Sequence, residues 1–91
     1  MSRPKKDRCL YSNPVVYYYK PQGIPLRMLE EIALERDEFE AINFADLKNL
    51  SHEEAAEKME ISRATFGRII KSARKKIAEA MIMGKAIKIN K

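Results

Sequence analysis

The chain is poor in the residues from which most chemical sites are built: one cysteine, one histidine and three glycines among 91 residues. A lone cysteine, Cys9, excludes an intramolecular disulfide and fits a reducing cytosol. Cys9 and the single histidine, His52, cannot by themselves make a structural zinc site, so both read as structural or surface residues. No glycine-rich loop is present to cradle a phosphate, no nucleophile stands beside a base, and no metal-ligand spacing is seen. The carboxylates Asp37, Glu38 and Glu40 are crowded, but helix capping accounts for them. Neither an enzyme nor a cofactor is expected. No apolar run approaches the ~20 residues that span a membrane. The basic N-terminus lacks the apolar segment of a secretory signal, so a cytoplasmic protein is expected.

What the chain does have is segregated charge. Residues 1–8 carry four cations against Asp7, and residues 9–26 carry only Lys20. Residues 27–60 carry four cations and eleven acids, whereas residues 61–91 carry nine cations against Glu79 alone. The overall net charge of +5 says little. The clustering says more, because a polyanion feels the local field and not the average.

Length and a 45% hydrophobic content suit one domain with a modest core. Three parts are expected: an arm over residues 1–26, a helical domain over 27–83 and a terminal strand over 84–91. The arm holds all four prolines, and Val15-Val16-Tyr17-Tyr18-Tyr19 is its strand candidate. Pro21-Gln22-Gly23 reads as a turn, and Pro25 suits the start of a short helix through Leu29. The tyrosines can stack on bases, but packing on a core is the simpler reading. In the helical part, Asp37 is expected to cap a helix running to about Lys48, with Glu40 completing a capping box. Phe39, Ile42 with Ala41, Phe44, Ala45 and Leu47 would form its buried face, and Asn49 would end it in a left-handed conformation. Its acids are expected to point away from bound DNA.

Residues 50–81 are the most informative stretch. Ser51 can cap a helix with Glu54 completing the capping box, Met59-Glu60-Ile61 makes a break, and Ser62 can cap a second helix beginning at Arg63. This is the spacing of a helix-turn-helix, here over residues 51–80, whose second helix enters the DNA major groove. Ala55, Ala56 and Met59 fall on one side of the first helix, where small residues permit a close crossing. In the second helix Phe66, Ile69, Ile70, Ala73, Ile77, Ala80 and Met81 recur at three and four residues. At ~100° per residue the opposite side carries Ala64, Arg68, Lys71, Ser72 and Lys75, while Arg63 and Thr65 project from the first turn.

Roles follow from side-chain chemistry. Arg63 and Arg68 are the candidates for bidentate hydrogen bonds to guanine, and Ala64 can admit the helix or touch a thymine methyl. Thr65, Lys71, Arg74, Lys75 and Lys76 are expected on phosphates. Ser62 is a cap first. After Gly84, Lys85-Ala86-Ile87-Lys88-Ile89 alternates as a short strand does. A lone strand needs a partner, and the Tyr17 region is the candidate, in the same chain or exchanged within a homodimer.

The motifs RPKK, KPQGIPL, the stretch from Asp37 to Ile70, and GKAIKI together resemble a family of small prokaryotic proteins of unknown biological role, usually described as DNA-binding. The resemblance covers nearly the whole chain. The helix-turn-helix, over about Glu30 to Lys76, also resembles region four of the primary bacterial sigma factors, which reads the −35 promoter element. That likeness implies a mainly α, winged-helix-like domain, to which the alternation near both ends adds short terminal strands. It also implies base-facing Arg63, Ala64 and Arg68, with Thr65 and Lys71 near the backbone. Ala64 replaces the usual acidic reader, so the sigma preference should not transfer. Glu60 replaces a glycine common at such turns, which is strained if φ is positive. The expected function is sequence-selective binding of double-stranded DNA by a transcriptional regulator on the nucleoid. The alternatives are an interaction module of the transcription machinery and an RNA-binding protein. The A-form major groove is too deep and narrow for a helix, which favours DNA.

Overall fold

A computed structural model describes residues 13–91. Local chemistry sets most element boundaries. The first helix, α1, covers Arg36–Ile42, α2 covers His52–Met59 and α3 covers Arg63–Met83. Ser51 caps α2: its Oγ accepts from Glu54 N at 3.1 Å, and Glu54 Oε1 accepts from Ser51 N at 2.9 Å. Glu60 ends α2 with φ 60°. That left-handed conformation costs a non-glycine residue ~1–2 kcal/mol. In exchange the chain turns sharply enough for Ile61 N to donate to Ala56 O at 3.1 Å. Ser62 Oγ then caps α3 by accepting from Thr65 N at 3.0 Å. Gly84, with φ 69°, closes α3 where a side chain would be strained.

The cap of α1 departs from the expectation. Glu35, not Asp37, is the N-cap, and its box partner is Glu38 rather than Glu40. Asp37 sits inside the first turn, where its charge still suits the helix dipole. The helix also begins earlier and ends in a different winding. Asn43–Leu47 forms a π turn, with Lys48 N donating to Asn43 O at 3.0 Å. The wider turn rotates the side chains that follow it. Leu47, expected on the buried face, is consequently 74% exposed. Asn49 does adopt φ 60°.

The strands are β1 (Tyr18–Tyr19), β2 (Glu31–Leu34) and β3 (Ala86–Ile89), in the order β1-β3-β2. β3 pairs antiparallel with β1, Tyr18 opposite Lys88, and parallel with β2, Leu34 opposite Ile89. The partner of the terminal strand thus lies in the same chain, and strand exchange is not needed to satisfy it. Val15 and Val16 fall outside the ladder: β3 has only four residues, and its last contact with the arm is Ile89 N to Tyr17 O at 2.9 Å. The short helix after Pro25 is a single 3-10 turn, Leu26–Met28.

Two adjoining clusters of buried side chains hold the elements together. The first joins Phe44, Ala45, Ala55, Ala56, Met59, Phe66 and Ile70, with Ile61 packed against it. The edge of His52 meets Phe66 at 5.2 Å between ring centres, a structural role. The second joins Leu34, Ala73 and Ile89 under the sheet, with Tyr17 and Phe39 at its border. Helix α3 supplies residues to both, Phe66 and Ile70 to the first and Ala73 to the second, so one continuous face of it is held against the core. Met81, expected in the core, is instead 75% exposed: the core runs out about one turn before the end of α3.

Candidate nucleic-acid interface

The surface of α3 turned from the core is built of residues spaced three and four apart. Ala64, Arg68, Lys71 and Lys75 are exposed along it, with Arg63 at its N-terminal edge. None of these four cations enters a salt bridge among the described residues. At the helix start, Thr65 Oγ1 accepts from Ser62 Oγ at 2.9 Å and from Arg68 Nη2 at 3.3 Å. Thr65 is half-buried, and with both bonds accepted, its own O–H remains as a donor. The cap therefore does two things. It starts the helix, and it ties the Arg68 guanidinium to a defined place on the surface.

Two cations expected on phosphates are engaged inside the fold instead. Arg74 meets Asp46 as a fork, Nη2 to Oδ1 at 2.6 Å and Nε to Oδ2 at 3.2 Å. That carboxylate raises the Arg74 pKa further and holds it charged. Lys76 Nζ donates to Glu38 Oε1 at 2.7 Å and to Ala33 O at 2.8 Å. The expectation for Arg74 and Lys76 is corrected on this ground: they flank the buried face of α3 on opposite sides, Arg74 beside Asp46 and Lys76 beside Glu38. Two acids, Glu38 and Asp46, thus face α3 through Ser72, Lys76 and Arg74, away from the strip of Ala64, Arg68, Lys71 and Lys75.

Glu38 is the electrostatic keystone of this junction. It is 5% exposed, yet it accepts from Ser72 Oγ at 2.5 Å, Lys76 Nζ at 2.7 Å and Glu35 N at 2.8 Å. Burial alone would raise its pKa. The hydrogen bonds from Lys76, Ser72 and Glu35, with the Lys76 charge, outweigh burial and hold it below the ordinary value. The same contacts lock α1, β2 and α3 together, which fixes the pitch at which the opposite face of α3 is presented. Ser72, though exposed, is turned to Glu38 by this bond.

Gly67 was not singled out by sequence pattern. It lies three residues after Ala64 and four before Lys71, hence on the same surface, and a Cβ built there would meet nothing within 4 Å. A glycine in mid-helix is unfavourable by roughly 0.5–1 kcal/mol relative to alanine. Ala64 and Gly67 together leave a flat strip between Arg63, Arg68 and Lys71. The signal was available: a glycine with no turn to make, on the polar side of an amphipathic helix.

Elsewhere the described residues offer little site chemistry. No group of three metal-ligating side chains occurs among them, and no helix of theirs is long and apolar enough to cross a membrane. Tyr18 donates to Glu31 Oε2 at 2.7 Å and Tyr17 lies under Lys91, so these rings serve the sheet. Cys9 and the cations of residues 1–8 lie outside the described residues.

No solved structure matches the chain. Relatives by sequence are plentiful. A UPF0251 protein of Desulfosudis oleivorans is 55% identical over 98% of this chain, which spans 64% of that relative's length. A UPF0251 protein of Caldanaerobacter subterraneus is 55% identical over 98% of this chain and 75% of its own length. One from Shewanella halifaxensis is 52% identical, over 96% of this chain and 91% of its own length. Residues 1–91 match the family described as "Protein of unknown function DUF134", and the chain belongs to that family.

Proposed function

We propose that this chain is a sequence-selective double-stranded DNA-binding protein that regulates transcription, with α2 and α3 acting as a helix-turn-helix and α3 lying in the major groove. The observation that carries the reading is the exposed strip of α3, in which four cations that enter no salt bridge among the described residues flank two residues small enough for close approach. A major groove ~12 Å wide admits a helix. In this reading Arg63 and Arg68 donate to base edges, and Ala64 and Gly67 form the floor against which the bases pass. Thr65, Lys71 and Lys75 hold phosphates. Arg74 and Lys76 serve the fold.

Selection of bound duplexes from a random library at fixed salt tests this. A defined motif is expected, and Arg68→Ala should relax it at one base pair, with a cost of ~1–3 kcal/mol on the preferred site. Absence of any enriched motif, or an Arg68→Ala loss equal on every sequence, would overturn the base-reading assignment.

A further inference from the structure

We propose that the apolar C-terminal end of α3 is the docking surface for a second copy of this chain, packed α3 against α3 about a two-fold axis. Met81, Ile82 and Met83 are 75, 83 and 64% exposed. Single exposed hydrophobes are common, but a contiguous group of them marks an interaction surface. Here the group is ordered. Ile77, Ala78, Met81 and Ile82 recur at three and four residues, the row by which one helix packs on another. With Ile42 they line an open groove of about 300 Å³.

Shape and charge both favour the same surface on another copy. Met81 borders this groove and also a second hollow formed with Tyr19 and Ile87, so it stands as a ridge between two depressions. A ridge flanked by grooves is self-complementary, as a two-fold contact requires. Most of the rim's charge is already neutralised: Arg74 is paired with Asp46, and Lys85 with Glu79 and Glu30. Lys20 adds one positive charge at the edge of the second hollow. Two copies therefore meet with little repulsion within the groove; exposed Lys75, one turn before Ala78, adds a positive charge at its near end.

The test is sedimentation of the chain without DNA, from low micromolar to near-millimolar concentration. The wild type should approach twice the monomer mass. The double variant Met81→Glu/Ile82→Glu should stay monomeric with unchanged helical circular dichroism, since both positions are exposed. Oxidative cross-linking of Ile82→Cys in a Cys9→Ser background gives a second readout, expected to trap a covalent dimer. A wild type monomeric at all concentrations, a double variant that still dimerises, or failure of Ile82→Cys to cross-link would overturn the proposal. Outcomes separate from the functional reading. A monomer that selects a DNA motif defeats only the dimer, and a dimer that selects none defeats only DNA binding.

Discussion

Lys75 and Lys76 are neighbours in sequence and should fail in different assays. Lys76 Nζ lies 2.7 Å from Glu38 Oε1 and 2.8 Å from Ala33 O, with side-chain exposures of 30% for the lysine and 7% for the glutamate. Lys76→Ala leaves Glu38 with Ser72 Oγ and Glu35 N but without its cation. A hydrogen bond to a charged group contributes ~1.5–3 kcal/mol, whereas stripping a fully buried charge of its partner costs ~3–5 kcal/mol. Two donors remain and Lys76 is partly solvated, so the expected loss is about 2 kcal/mol. Lys75 is exposed and in no salt bridge among the described residues, so Lys75→Ala should stay within ~0.5 kcal/mol. Urea unfolding followed by circular dichroism reads the difference. With a slope of ~1–2 kcal/mol/M, the Lys76→Ala midpoint should fall by ~1–2 M and the Lys75→Ala midpoint should barely move. Duplex binding should show the reverse order: Lys75→Ala weakens every sequence and flattens the salt dependence by roughly one ion, and Lys76→Ala leaves the slope unchanged. Equal destabilisation by the two, or equal flattening of the salt slope, would refute the division of α3 into a structural side and a reading side.

Three further outcomes follow from the same geometry. Glu38 has a depressed pKa in the fold, so its contribution to stability is complete above its ordinary value of 4.5 and is lost as pH falls through the lower folded value; Glu38→Gln should flatten that acid limb in thermal melts taken across it. Gly67→Ala should raise stability by ~0.5–1 kcal/mol, since the added methyl meets only open space, while Gly67→Leu should lower duplex affinity without unfolding the chain. Ser62→Ala should cost ~0.5–2 kcal/mol in chemical unfolding and should also weaken duplex binding, because Thr65 loses the hydroxyl that positions it beside Arg68.

Features written in local chemistry were legible before the structure. Ser51 with Glu54, Ser62 before Arg63, and Gly84 after the helix each act within four residues, so a linear reading finds them. The exposed side of α3 was legible too, because a helix of 21 residues holds its phase from Phe66 to Ala73. What failed depended on distant partners or on altered winding. Strand β2 was missed because glutamate and alanine are poor strand formers, and its pairing with β3 depends on a segment more than fifty residues away. The π turn at Asn43–Leu47 shifted the phase by which Leu47 had been placed inside. Lys76 and Arg74 look like any other cations of α3 until Glu38 and Asp46 are brought beside them. Met81 kept the spacing of the core but lies beyond the elements that could cover it.

The most direct test of the central claim is an amide chemical-shift map of the chain titrated with duplex DNA carrying a selected motif. The account predicts that the largest changes fall on Ser62 to Lys75, strongest near Arg63, Ala64, Gly67 and Arg68, with little change at Ala33, Glu38 and Lys76. Changes confined to the α1 side or to the Met81–Met83 end, with the α3 strip silent, would contradict it.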